Sequence, residues 1–271
     1  MNHPPLAKSG PKGPWVMLTA YDALMAREAE QGGADLLLVG DSLGKAVLGY
    51  DDEKEVMLSD MIHHSQAVMR GVRNIPVVAD LPYGTYDNLE VALDSSRQLM
   101  ALGVNMVKLE CDLPHIISHL NAHDIPVMAH LGYTPQTAAK EGSKVVGNEI
   151  DSAELLLQES LSVEKAGAVA LVLEMVPREV AASIAHILAI PVIGIGSGPD
   201  VDGQVLVTTD MWGESDVSFK FLKKFGQISQ AKRDAVEAYS AEVRQRTYPA
   251  DENSFHIKKK FLSTWLNQHP Y

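Results

Sequence analysis

The sequence predicts a closed (β/α)8 TIM barrel with an appended C-terminal helical segment, and three observations predict it. Eight short apolar, β-branched runs recur along the 271 residues. Most intervals between them carry apolar residues at helical spacing. The runs are apolar almost throughout rather than alternating, as expected of parallel strands covered on both faces. An open doubly wound sheet is the structural alternative.

The first 14 residues, MNHPPLAKSGPKGP, hold four prolines and no apolar period, which predicts a flexible arm. The strand candidates follow: VMLTA (16–20), DLLLVGD (35–41), PVVADLP (76–82), NMVKLE (105–110), PVMAHLG (126–132), VALVLEM (169–175), PVIGIGSG (191–198) and, with the weakest pattern, QVLVTTD (204–210). Between them, YDALMAREAEQGG and DNLEVALDSSRQLMALGV have helical periodicity with glycine near the end, and DSAELLLQESLSVEKAGA starts on an Asp expected to cap it. From residue 219 to residue 271 the chain is charged, helical in period and free of strand candidates. It reads as a helical extension of the single domain 15–271, serving as barrel cover or subunit contact.

A formal net charge of -12 argues against a nucleic-acid partner, which would select a basic face. The one cysteine, Cys111, excludes an internal disulfide and fits a reducing compartment. With no signal-peptide pattern and no bilayer-length apolar run, the expectation is a cytoplasmic protein with no membrane partner.

In parallel α/β folds the ligand lies at the carboxyl ends of the strands. The second candidate ends in Asp41 and Ser42, the third in Asp80, the fourth in Lys108 and Glu110, the fifth in His130, the sixth in Glu174, and the seventh in the turn Gly194-Ile-Gly196-Ser-Gly198. An Asp after a strand can simply cap a helix, so Asp41 or Asp80 alone would be ambiguous. Capping does not explain Lys108 inside an apolar strand, or Glu110 and Glu174 at the ends of apolar runs. Met106, Lys108 and Glu110 share one strand face by alternation. Asp41, Asp80 and Glu110 together would repel unless a cation joined them, and oxygen ligands favour Mg2+ over zinc.

Other polar features point elsewhere. His63 and His64 are adjacent rather than four apart, the spacing of a helical zinc pair. His130 is a satisfied core imidazole or, given its ligand-side position, equally a substrate contact, and it ranks below the acids as a site residue. Glycines 194, 196 and 198 do not complete a dinucleotide motif, because Pro199 stands where the last glycine is needed. Cys111 has no basic neighbour in sequence and reads as a packing residue.

TAYD (19–22), VGDSLG (39–44), ADLPYGTY (79–86), NMVKLE (105–110), PVMAHLGYTPQ (126–136), LEMVP (173–177), IPVIGIGSG (190–198), DGQVLV (202–207) and SFH (254–256) occur in this order. Together they resemble the 3-methyl-2-oxobutanoate hydroxymethyltransferase family, also called ketopantoate hydroxymethyltransferase. The resemblance implies a barrel of the phosphoenolpyruvate/pyruvate superfamily and a homo-oligomer, often a decamer. It implies transfer of a one-carbon unit from methylene-tetrahydrofolate to 3-methyl-2-oxobutanoate, giving 2-dehydropantoate in pantothenate biosynthesis. Residue by residue, Asp41, Asp80 and Glu110 match the Mg2+ positions. Asp41, Ser42, Asp80 and Lys108 match the oxoacid site, and Glu174 matches the general base.

Three departures bear on loop contacts, folate affinity and assembly. The family's glycine-rich stretch reads Glu141-Gly-Ser-Lys-Val-Val-Gly147 here, the N-terminal helical segment is replaced by the proline-rich arm, and a tail runs from 257 to 271. Two alternatives remain: another Mg2+-dependent oxoacid lyase or mutase of the same superfamily, acting without folate, or a non-catalytic binding barrel. A lyase would show a catalytic-cysteine stretch like KKCGH, which is absent. A binding barrel would have lost a metal or base position, and none is lost.

Overall fold

A computed structural model describes residues 6–137 and 144–270. Its eight parallel strands close into a barrel in sequence order, β1 pairing with both β2 and β8. They are β1 (Trp15–Thr19), β2 (Leu36–Val39), β3 (Val77–Asp80), β4 (Met106–Glu110), β5 (Val127–Gly132), β6 (Ala170–Glu174), β7 (Val192–Ile195) and β8 (Gly203–Leu206). β1 to β6 lie within two residues of their sequence-predicted runs, whereas β7 stops three residues early and β8 four, because Thr208–Asp210 of its run turn into helix.

Alternation along these strands separates two cores. Met17, Leu38, Val78, Met106, Met128, Val172 and Ile193 fill the barrel interior. Their neighbours Leu37, Val39, Val77, Val107, Leu109, Val127 and Leu171 pack outward. The outer layer is covered by α1 (Ala23–Gln31), α2 (Leu58–Gly71), α3 (Leu89–Met100), α4 (Pro114–Asn121), α5 (Ile150–Lys165) and α6 (Arg178–Ile187), which touch in succession around the barrel. Asp22 and Asn88 begin α1 and α3 by accepting from Met25 N and Val91 N. The expected Asp cap of the interval between β5 and β6 is displaced: Asp151 lies inside the first turn of α5, whose cap position is Glu149 without a side-chain hydrogen bond.

Gly71 closes α2 against the start of α1, where an added Cβ would lie 2.2 Å from Ala23 O. The neighbour is backbone and cannot rotate away. Gly71→Ala is therefore expected to lower stability by about 1–3 kcal/mol, read by urea unfolding.

The helical coat thins over β8 and β1. The β7–β8 connection carries no helix among the described residues, α7 (Thr208–Met211) is a single turn, and Val16 on the outer face of β1 stays 45% exposed. The tail is less helical than its composition predicts: residues 219–227 are irregular, and helix resumes in α8 (Ile228–Gln245) and α9 (Lys259–Gln268). No residue of either is buried. Ile228, Ala235, Val236, Tyr239 and Val243 form an apolar arc along α8 that meets solvent.

Of the expected arm, Lys8 Nζ donates to Ala185 O and Ile190 O and pairs with Asp202, and Trp15 Nε1 donates to Ala7 O. Among the described residues no helix is long and apolar enough to cross a membrane.

Candidate active site

The alternation that turns Val78, Met106, Met128 and Val172 into the barrel also turns in the residues two positions later, at the carboxyl ends of the strands. These are Asp80 on β3, Lys108 and then Glu110 on β4, His130 on β5 and Glu174 on β6. Register sets neighbours: Asp80 faces Lys108, Glu110 faces His130, and Gly132 faces Glu174. All of them except Gly132 line one cavity of about 420 Å3, together with Asp41 and Ser42 from the turn after β2.

Backbone strain aims two of the acids. Cys111, directly after Glu110, has φ 74°, and Met175, directly after Glu174, has φ 52°, the left-handed region that costs a side chain energy. Each bend is held by a neighbouring strand: Cys111 N donates to His130 O and Met175 N to Ile195 O. Gly132 (φ 88°) permits the close approach between β5 and β6, since a Cβ there would lie 2.3 Å from Glu174 O.

The cluster is buried and acidic. Asp41, Asp80, Lys108 and Glu110 are 6%, 2%, 5% and 1% exposed, so three carboxylates face one ammonium out of water. Lys108 Nζ bonds Asp80 Oδ1 at 2.6 Å, and Asp80 Oδ2 accepts from Asp41 N at 3.1 Å. Burial disfavours the ammonium, but the charges of Asp80, Asp41 and Glu110 outweigh it and hold Lys108 above the usual lysine range. Burial, reinforced by the charges of Asp80 and Glu110, pushes the Asp41 carboxyl well above the usual carboxylate range. The Lys108 ammonium and the Gln136 amide pull it the other way but do not offset this, because the acids outnumber the one nearby cation.

Gln136, in the turn after β5, ties these acids together and was not singled out from sequence as a site residue. Its Nε2 donates to Asp41 Oδ2 at 2.7 Å and to Leu81 O at 3.0 Å, while its backbone N donates to Glu110 Oε2 at 2.9 Å. Its Oε1 accepts from the Tyr86 hydroxyl. One residue, 1% exposed, thereby orients a carboxylate on β4 and another in the turn after β2. The only sequence signal for it is its place at the end of PVMAHLGYTPQ.

His130 lies between the cluster and Glu174, with Nδ1 3.5 Å from Glu110 Oε1 and Nε2 3.3 Å from Glu174 Oε2. Burial and Lys108 oppose the imidazolium, yet Glu110 and Glu174 prevail and its pKa is pushed up to about 9. Both contacts are ion-pair distances without hydrogen-bond alignment, so neither ring nitrogen has a settled partner. His130 also lines the cavity, on the ligand side expected from sequence. Ser42 Oγ lies 2.9 Å from Tyr21 OH, whose phenol burial drives far up and keeps neutral. His64 Nδ1 lies 2.7 Å from Tyr21 O and is spent on packing.

Among the described residues no three His, Cys, Asp or Glu side chains close into a ready-made metal cage. Gln136, Lys108 and His130 already engage the three acids. The donor set is nevertheless all oxygen with buried, undercompensated negative charge. It suits an ion that binds through few carboxylates and keeps positions for water and substrate oxygens, as Mg2+ does. Of the departing stretch, residues 141–143 lie outside the described residues; beyond them Val146 N donates to Met175 O.

A family model described as ketopantoate hydroxymethyltransferase matches residues 4–251. The chain belongs to this family. It is 43% identical over 270 residues to the 3-methyl-2-oxobutanoate hydroxymethyltransferase of Deinococcus radiodurans, covering 97% of this chain and 94% of the relative. It is 44% identical over 253 residues to that of Geobacillus kaustophilus, covering 91% of each. Among solved structures, phosphoenolpyruvate phosphomutase from Streptomyces platensis subsp. rosaceus superposes with a TM-score of 0.60 at 13% identity, covering 94% of this chain and 92% of that one. A phosphonopyruvate hydrolase solved with oxalate and Mg2+ superposes with a TM-score of 0.60 at 14% identity and the same coverage. These likenesses show the shared barrel, whereas the family rests on the sequence match. α9 lies beyond the matched residues.

Proposed function

We propose that this chain transfers a hydroxymethyl group from methylene-tetrahydrofolate to 3-methyl-2-oxobutanoate, forming 2-dehydropantoate for pantothenate biosynthesis. The observation that carries the reading is the arrangement of one cavity: a partly open carboxylate, Glu174, stands across His130 from a buried Asp41–Asp80–Glu110–Lys108 cluster. Family membership supplies the substrates.

In this reading Asp41, Asp80 and Glu110 would hold Mg2+. When bound, the ion supplies Lewis acidity to the carboxylate and 2-oxo oxygens of the substrate, so that the C3 proton becomes acidic. Asp41, Ser42, Asp80 and Lys108 hold the oxoacid, with the Ser42 hydroxyl and the Lys108 ammonium as donors. Glu174 takes the C3 proton, and His130 contacts the substrate beside it. The carbon nucleophile so formed attacks the activated methylene of the folate, making the new C–C bond. Water then displaces the folate nitrogen and leaves the hydroxymethyl group.

Incubating purified chain with Mg2+, 3-methyl-2-oxobutanoate and methylene-tetrahydrofolate is expected to yield 2-dehydropantoate, detected by mass spectrometry. Exchange of the C3 proton without folate-dependent product would favour a folate-independent lyase or mutase; neither reaction would favour a binding barrel. Gln136→Leu, which frees Asp41 from its donor, is expected to weaken Mg2+ binding about 10- to 100-fold by calorimetry. Unchanged affinity would remove Gln136 as the residue that orients the acids.

The exposed apolar arc of α8 and the thin coat over β8 and β1 support a homo-oligomer, a decamer by family resemblance. Light scattering is expected to give a mass above the monomer. The single cysteine and the acidic charge fit a cytoplasmic setting without nucleic-acid or membrane partners.

A further inference from the structure

The oxoacid cluster occupies one wall of a cavity whose volume suits a drug-sized ligand rather than a five-carbon acid alone. The same cavity is lined, after β8, by Asp210, Phe219 and Phe221. The two phenyl rings stack with centroids 5.2 Å apart and planes 5° apart. Phe221 is backed by the turn after β7: Gly196 has φ 66°, and a Cβ there would come within 2.7 Å of the Phe221 ring. Phe219 stacks on this supported ring and is itself 40% exposed. The segment is fastened at both ends. Ser215 Oγ donates to Asp210 Oδ1, Lys224 Nζ donates to Ser215 O, and Phe225 N donates to Met211 O. The Asp210 carboxylate keeps acceptor capacity on its second oxygen.

We propose that Phe219 and Phe221 form the platform on which the pterin of the folate co-substrate stacks, with Asp210 accepting from the N3–H and 2-amino group along one pterin edge. This rests on the transferase reading above. The pyrimidinone half of a tetrahydropterin is planar and presents two donors side by side, which match a ring stack and a carboxylate. The polar wall then holds the carbon acid while the aromatic wall holds the carrier, both in one cavity.

The test measures two quantities on purified full-length protein: tetrahydrofolate affinity by calorimetry, and C3 proton exchange of 3-methyl-2-oxobutanoate by NMR without folate. Phe219→Ala is expected to weaken tetrahydrofolate binding about 10-fold or more and to raise KM for methylene-tetrahydrofolate in step. C3 exchange persists in that variant, which also shows that it folds. Phe219→Tyr is expected to bind close to the parent value, and Asp210→Asn to bind more weakly than the parent. Phe219→Ala binding tetrahydrofolate with parent affinity overturns the platform and leaves the transferase reading standing. A parent protein that exchanges the C3 proton but binds no tetrahydrofolate overturns both.

Discussion

Glu174→Gln is expected to abolish exchange of the C3 proton of 3-methyl-2-oxobutanoate, with a loss of about 10²–10⁴-fold, while oxoacid binding survives. The substitution keeps size and polarity, so the contact of Glu174 with His130, 3.3 Å away, is changed in charge but not in shape. The buried cluster proposed to hold the oxoacid lies on the other side of that imidazole and is untouched. Exchange is followed by NMR in deuterated water and binding by calorimetry. Normal exchange in the variant would remove Glu174 as the base.

Lys108→Met is expected to cost about 3–5 kcal/mol of stability in addition to activity, because it removes the cationic partner of a buried pair while leaving the acids in place. The side chains of Lys108 and Asp80 are 6% and 3% exposed, so water cannot replace the lost ammonium. Urea unfolding at neutral pH reads the loss. A cost below about 1 kcal/mol would mean that protons rather than Lys108 offset the cluster's charge.

The strands were legible because parallel barrel strands are apolar over their whole length, and that signal is local. The polar residues at their carboxyl ends were legible for a related reason: a lysine or glutamate within such a run has no role in packing. Gln136 carried no comparable signal. It sits in a turn, where polar residues are ordinary, and its partner Asp41 is 95 positions away. The irregular stretch 219–227 misled for a different reason. Its spacing of Phe219, Leu222 and Phe225 imitates a helix face, but tertiary contacts decide otherwise: Phe221 lies against Gly196, and Phe225 N bonds Met211 O. The displaced cap at Asp151 is the usual uncertainty of helix ends.

The left-handed backbone at Cys111 and Met175 bears on how far this chain could be improved as a folded object. Glycine at either position would relieve a conformational cost of about 1–3 kcal/mol, yet it would let the strand end, and the glutamate before it, sample other directions. A screen for heat resistance would thus drift toward glycine at 111 and 175, and a screen for turnover would drift back. The sequence most at ease in this barrel is not the one that aims its acids best.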